Sequence, residues 1–138
     1  MSEWKKVIVD KLCTKVTDGS HQSPKAFPGG FPMFSVKDMR TYNFDYSNCK
    51  RISQEDFDRL VNQGCKPEID DILIAKDGSV LKHVFKVNKE PDYVLLSSIA
   101  ILRPIKEIID PDFFVYAVKS PEINDTILVT THLHSRME

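Results

Sequence analysis

The segment from Thr17 to Pro32 places the strongest constraint on how this chain can fold. It holds three of the five glycines and three of the eight prolines in the sequence, namely Gly19, Gly29, Gly30, Pro24, Pro28 and Pro32. Glycine adopts backbone angles that other residues avoid, and proline fixes φ, so this composition predicts an irregular but stiffened loop. A loop of this length inside a compact domain is usually functional.

Two helices are predicted further along the chain by the residues at their ends. The first spans Gln54 to Gln63, because Ser53 is a good N-cap and Gly64 is a typical C-terminal stop. The second spans Pro111 to Lys119, because Asp110 is a good N-cap and proline suits the first helical position.

Short apolar runs between these features predict strands. The predicted runs are Met33 to Val36, Asp71 to Ala75, its hairpin partner Val80 to Val87 after the Asp77-Gly78 turn, and Tyr93 to Leu102, which Arg103-Pro104 ends. Short strands mixed with about two helices, without regular βαβ spacing, predict an α+β fold.

Length and composition limit the class of protein. A chain of 138 residues suits one domain, and its apolar content of 41% is that of a globular protein rather than a disordered one. No apolar stretch approaches the roughly 20 residues of a membrane span, and no secretory signal is recognisable at the N-terminus, so we expect a cytoplasmic protein. Cys13, Cys49 and Cys65 are odd in number and widely spaced, which predicts free, buried thiols rather than disulfides or a zinc site.

Net charge excludes one route to nucleic-acid binding. With 19 basic and 20 acidic side chains, the formal net charge is -1, which is not the balance of a protein that binds nucleic acid by bulk charge. A local basic surface is compatible with this balance.

Catalytic patterns are matched poorly. The segment from Ser79 to Lys82 fits S-x-x-K, but the S-D-N and K-T-G partner motifs are missing. Asp70, Asp71 and Lys76 resemble part of a metal-dependent nuclease, yet that chemistry needs an acid two residues before the lysine, where Ile74 stands. The His132-Leu133-His134 segment lacks a third metal ligand within sequence reach. We therefore expect no catalytic residues, no metal site and no cofactor.

The segment from Asp18 to Lys25 is the richest in chemistry. It offers a hydroxyl, an imidazole, an amide and an ammonium group within six residues. Gln22 can contact the edge of adenine through two hydrogen bonds, and Lys25 or His21 can reach guanine acceptors or phosphates. The alternative is a structural turn in which Asp18 and Ser20 bind the local backbone.

A second candidate cluster consists of lysines from the strand region that follows. Its members are Lys76, Lys82, Lys86 and Lys89. The alternative interpretation is a solvated strand face or a sheet edge that lysines protect from pairing.

Several motifs, taken in order, resemble a known family. They are the region of Trp4 and Val7, Asp18-Gly19-Ser20-His21 with Pro24, Gly30 to Met39, Ile52 to Asp56, Asp71 to Ser79, Ser98 to Pro104, and Asp110 to Ser120. Each motif alone is common, and the specific signal is their order and spacing. The chain resembles one target recognition domain of the specificity (S) subunit of a type I restriction-modification system.

The resemblance implies a non-catalytic module that reads one half of a bipartite DNA sequence through loops that enter the major groove. It implies an α+β target recognition domain over residues 1–129, followed by a divergent C-terminal tail over residues 130–138. The implied partners are double-stranded DNA, the methyltransferase (M) subunit, which uses S-adenosylmethionine, and the restriction (R) subunit, which uses ATP. No membrane partner is implied, and a homodimer stays open.

Combining the resemblance with the chemistry above gives a set of candidate DNA contacts. They are Ser20, His21, Gln22, Lys25, Lys37, Arg40, Lys76, Ser79 and Lys82. Which of them would touch bases and which phosphates stays open.

Two alternatives remain beside this hypothesis. A specificity subunit carries two such domains joined by long helices, whereas this sequence has one domain and no recognisable spacer helix. The chain could therefore be a truncated specificity subunit that binds the M subunit and modulates its assembly. A small metal-dependent nuclease is the third hypothesis.

Overall fold

The computed structural model of the chain describes residues 11–76 and 83–119. Within these ranges two α-helices and seven strands form two sheets, which confirms the predicted α+β fold. The helices are α1 (Gln54–Asn62) and α2 (Pro111–Val118). The strands are β1 (Cys13–Asp18), β2 (Phe31–Phe34), β3 (Lys50–Ile52), β4 (Ile72–Ala75), β5 (Val84–Lys86), β6 (Val94–Leu95) and β7 (Ile99–Pro104).

The larger sheet forms the centre of the molecule. Its order is β1-β7-β4-β5, and every neighbouring pair is antiparallel. Alternate residues of β4 enter two different cores: Ile72 and Ile74 face α2, while Leu73 and Ala75 face an aromatic cluster around Phe34. Because both faces are covered, β4 is apolar throughout, as a fully buried strand requires.

The smaller sheet has the order β3-β2-β6 and carries α1. Strands β2 and β3 are antiparallel, whereas β2 and β6 are parallel. Phe57 and Leu60 of α1 pack on Met33 and Val94 in a third core. This packing fixes the C-terminal end of α1 near the loop between β1 and β2.

Both predicted helices are confirmed, each ending one residue earlier than predicted. Ser53 Oγ accepts a hydrogen bond from Asp56 N at 3.2 Å, and Gln63 is the C-cap of α1. Gly64 has a φ of +85°, and its N–H donates to Val61 O while the Cys65 N–H donates to Leu60 O. This pair of bonds is a Schellman motif, which explains why a glycine ends the helix.

The second helix begins as its sequence predicts. Asp110 accepts hydrogen bonds from the N–H groups of Asp112 and Phe113, and Lys119 is the C-cap rather than the last helical residue.

Three strand predictions are corrected. The strand predicted at Met33 to Val36 lies at Phe31–Phe34, because a 3₁₀ turn begins after it. The N–H of Ser35, the N-cap of that turn, donates a hydrogen bond to the Asp38 carboxylate. The region predicted at Tyr93 to Leu102 is two strands in different sheets, since the chain turns at Leu96 to Ser98. Arg103 and Pro104 are the last two residues of β7, whereas the prediction ended the strand before them.

The glycine- and proline-rich loop is shorter than predicted. Thr17 and Asp18 belong to β1, and Phe31 and Pro32 belong to β2, so the loop spans residues 19–30. We name this segment the recognition loop, after the predicted DNA contacts that it carries.

Other predictions have separate outcomes. Val84–Lys86 pairs antiparallel with β4 as predicted, whereas the Asp77-Gly78 turn, the tail 130–138 and the His132-Leu133-His134 segment lie outside the described residues. None of the three cysteines forms a disulfide; Cys13 and Cys65 are buried, and Cys49 is half-buried. Neither helix in the described ranges has the length and apolar character needed to cross a membrane.

Candidate nucleic-acid interface

The recognition loop is anchored at its start between the two sheets. Gly19 N donates to Ile99 O, and Ser20 N donates to Leu95 O at 2.8 Å. A Cβ atom at Gly19 would lie 2.2 Å from the carbonyl oxygen of Leu95. Only glycine therefore permits this approach of the backbone to the β6–β7 turn.

The end of the recognition loop is anchored by a tight turn. Gly30 N donates to Phe27 O at 2.9 Å, Pro28 and Gly29 are the central residues, and Gly29 has a φ of +82°. These are the features of a type II turn. Phe27 N also donates to Arg51 O at 2.7 Å, which holds the turn against β3.

The middle of the recognition loop exposes three of the predicted contacts. His21, Gln22 and Lys25 are all exposed. Ser23 Oγ accepts a hydrogen bond from Lys50 Nζ at 2.7 Å, so the loop is tied to β3 here as well. An anchored loop presents its side chains without a large ordering cost on binding.

Ser20 takes a different position from these neighbours. It is 5% exposed, and its hydroxyl accepts from Gln22 N at 3.0 Å and donates to Gln22 O at 2.8 Å. These contacts favour the structural-turn alternative for Ser20, whose hydroxyl fixes the backbone of Gln22.

Lys76 is bound to an acidic partner inside the protein. Its Nζ lies 2.6 Å from Oδ2 of Asp18, and its side chain is only 16% exposed. His21 Nε2 lies 3.3 Å from the other carboxylate oxygen of Asp18, and the histidine side chain is 63% exposed. Lys76 therefore neutralises a buried carboxylate that also orients His21, and contact with a phosphate would require breaking this pair.

A cleft of about 340 Å³ lies between the recognition loop and the C-terminal end of α1. Its walls include His21 and Gln22 on one side and Gln63 on the other. Lys15 lies in the same cleft and donates to Gly64 O at 2.8 Å. Burial lowers the pKa of Lys15, and the nearby Arg103 guanidinium adds to that shift.

Sequence reasoning missed Gln63, Lys15 and Phe27 as surface groups near the loop. Gln63 is the C-cap of α1 and precedes Gly64. The only sequence signal for its exposure is that it is a polar residue at the end of a helix. Nothing in the sequence marked Lys15, which comes from a strand that was not predicted. Phe27 is 54% exposed, but a single exposed apolar residue is common on protein surfaces and gave the sequence no specific signal.

Lys37 and Arg40 form a separate group. Arg40 donates to Lys37 O at 2.9 Å and to Oδ2 of Asp45 at 3.0 Å, while Lys37 Nζ lies 2.9 Å from Oδ1 of Asp38. Hydrogen bonds from Ser47, assisted by Arg40, lower the pKa of Asp45. Both basic groups stay half exposed or more, yet each has an acidic neighbour.

The predicted lysine cluster is not a single patch. Lys76 follows β4 at its Ala75 end, whereas Lys86 pairs in register with Ile72 at the opposite end. Lys86 Nζ lies 3.4 Å from Asp70 and 3.1 Å from Asp112. Ser79 and Lys82 lie outside the described residues.

The residues of the nuclease alternative do not converge. Asp71 is fully buried and accepts two hydrogen bonds from the Arg103 guanidinium, at 2.9 and 2.8 Å. Lys76 lies beyond the other end of β4, on Asp18. Over residues 11–76 and 83–119 no group of three potential ligands is placed to hold a metal ion.

Comparison with known proteins gave no relative: no family model matches the chain, and no curated protein sequence matches it.

Proposed function

We propose that this protein is a sequence-specific DNA-binding module of a type I restriction-modification system, non-catalytic and reading one half of a bipartite target in the cytoplasm. The observation that carries the proposal is the recognition loop, which exposes an imidazole, an amide and an ammonium group on one anchored segment. The backbone that carries them is tied to β3, β6 and β7. The resemblance described above supplies the biological setting.

The loop supports readout by different chemical groups. Gln22 carries a donor and an acceptor, the pair that adenine presents in the major groove. Lys25 is an exposed cation with no ion pair among the described residues, which suits a phosphate or guanine. His21 is held by Asp18 at the rim of the cleft that also contains Gln63.

Selection from a random-sequence duplex library at low salt tests this proposal. We expect a short enriched motif, and we expect Gln22→Ala to relax preference at one base pair while binding persists. Gln54→Ala is the matched control, because Gln54 is an exposed amide at the opposite end of α1 from the cleft. Negligible binding at low salt would contradict the proposal. Equal sequence selectivity in the wild-type protein, Gln22→Ala and Gln54→Ala would also contradict it.

A second function, binding to the M subunit, is favoured by one surface. Phe113 and Tyr116 are 62% and 80% exposed and are three residues apart on α2, and Ile108, in the turn before α2, is 61% exposed. Exposed aromatic residues on one helix face are typical of protein interfaces. This surface would allow the chain to join an assembly with M and R subunits, or to pair with a second copy.

A pull-down with the M subunit separates these possibilities. We expect Phe113→Ser combined with Tyr116→Ser to abolish capture of the M subunit while leaving duplex binding unchanged. Gln22→Ala should leave capture of the M subunit unchanged and relax only the sequence preference of duplex binding. Equal capture by the double variant and the wild-type protein would contradict an interface on α2.

A further inference from the structure

A second cleft lies away from the recognition loop. It has a volume of about 520 Å³ and opens between the segments 42–46 and 85–93. The antiparallel register of β4 and β5 places Lys86 beside Ile72, so the cleft is at the opposite end of the larger sheet from Lys76. Its volume falls within the range of small-molecule sites, roughly 300–1,000 Å³.

One wall is an aromatic side chain on a fixed turn. Arg40 N donates to Asn43 O at 2.8 Å, and Met39 pairs with Phe44 across the turn. Tyr42 lies at the tip and is 73% exposed. A tyrosine held out of the core by a hydrogen-bonded turn offers a flat face for stacking.

The floor and the second wall are also aromatic. Phe44 packs against Phe34, Phe85 and Tyr93 with ring centroids 4.2 to 5.1 Å apart, and it is buried. Tyr46 is 43% exposed, and its hydroxyl donates to Asp92 at 2.8 Å. The cleft therefore has rigid aromatic surfaces whose positions are fixed by the core.

Two amide groups supply the polar chemistry. Asn43 and Asn88 line the cleft and are exposed, and neither side chain has a hydrogen-bond partner among the described residues. Each carries one acceptor and two donors. Paired donors and acceptors at the edge of an aromatic ring are the mark of a nucleobase.

The charged side chains that line the cleft are two lysines and two carboxylates. Asp92 is engaged by Tyr46, and Glu90 lies 3.3 Å from Lys66. Lys86 is paired with two carboxylates, whereas Lys89 is exposed with no ion pair in the described ranges. A lone cation at the rim suits a phosphate attached to the bound ring.

We infer that this cleft binds a single nucleobase, stacked on Tyr42, contacted at its edge by Asn43 and Asn88, with its phosphate near Lys89. The base belongs either to a free nucleotide or to an unpaired position in a nucleic-acid strand. The inference stands apart from the proposed duplex readout, because the two clefts share no residue.

Titration of the ¹⁵N-labelled full chain tests it. AMP, GMP, CMP and UMP are added separately, and a short single-stranded DNA is added in a parallel experiment. We expect saturable shifts at the side-chain amides of Asn43 and Asn88. Saturation by mononucleotides identifies a free nucleotide, and saturation by the strand alone identifies an unpaired base.

Matched variants decide whether the shifts report this cleft. Stacking of a base on an aromatic side chain corresponds to roughly 5- to 150-fold in affinity, so Tyr42→Ala should weaken binding by that factor. Tyr116→Ala is the control, since Tyr116 is equally exposed but lies on α2. No shift with any nucleotide or strand would overturn the inference. Equal affinity of Tyr42→Ala and Tyr116→Ala for the nucleotide or strand would also overturn it. So would shifts of the same resonances by tetramethylammonium with a higher affinity than by any nucleotide or strand.

Discussion

At the scale of single residues, neighbours in the sequence divide sharply between structure and surface. Ser20 and Asp18 are buried and hydrogen-bonded, whereas His21 and Gln22 are exposed. The sequence marked the whole segment as chemically rich but could not separate these roles. The separation depends on Leu95 and Lys76, which lie far along the chain and meet the loop only after folding.

Arg103 provides a test of a buried charge. Its guanidinium binds fully buried Asp71, which also accepts a hydrogen bond from Glu68 N, and these contacts with the carboxylate raise the pKa of Arg103. Arg103→Ala leaves Asp71 without its cation, so we expect the free energy of unfolding to fall by about 3–5 kcal/mol. Lys106→Ala removes an exposed ion pair to Asp70 and should cost about 1 kcal/mol or less. Urea unfolding measures the stability of both variants. Similar losses of stability would show that Asp71 keeps a compensating partner when Arg103 is removed.

Tyr46 provides a test of pH dependence. Burial, together with the hydrogen bond to Asp92, raises the pKa of Tyr46 to about 12. Because the folded pKa lies above the unfolded value of about 10, the contribution to stability is complete below pH 10 and is lost as the pH rises toward 12. We expect the stability difference between the wild-type protein and Tyr46→Phe to shrink over that window. A difference independent of pH from 9 to 12, measured by urea unfolding, would contradict the assignment.

At the scale of elements, the helices were predictable and several strands were not. Helix ends are local: Ser53, Gly64 and Asp110 act on backbone groups a few residues away. Strand β1 carries Lys15 and Asp18, whose partners Gly64 and Lys76 come from other elements. Its polar residues therefore made it resemble a loop. The β6–β7 region is apolar except at Ser97 and Ser98, where the chain turns, so these two serines were a signal of the division that the strand prediction did not use.

Two glycines of the recognition loop should respond differently to alanine. Gly29 has a positive φ but nothing within 4 Å of an added Cβ, so Gly29→Ala should cost about 1–2 kcal/mol of backbone strain. Gly19 does not have a positive φ, yet an added Cβ would clash with the Leu95 and Leu96 carbonyls. We therefore expect Gly19→Ala to destabilise the protein more than Gly29→Ala in urea unfolding. The opposite order would show that the β6–β7 turn can move away from the loop.

At the scale of the whole molecule, charge sets what kind of DNA binding is available. The net charge of -1 gives no general attraction to DNA, and Lys37, Arg40, Lys76 and Lys86 each have an acidic neighbour. The proposed DNA binding would then depend on a few local contacts, with Lys25 the exposed lysine of the recognition loop. The sequence predicted Lys37, Arg40 and Lys76 as contacts, but it could not show that Asp18, 58 residues away in β1, pairs with Lys76.

The salt dependence of duplex binding tests this distribution of charge. Each phosphate contact contributes about one to the slope of log affinity against log salt concentration. We expect Lys25→Ala to lower the magnitude of that slope by about one, because it removes one contact that releases a counterion. Lys119→Ala is the matched control, since Lys119 is an exposed lysine at the end of α2, and its slope should equal that of the wild-type protein. If both variants lower the slope equally, binding follows the total charge of the molecule, and the recognition loop would lose its special role.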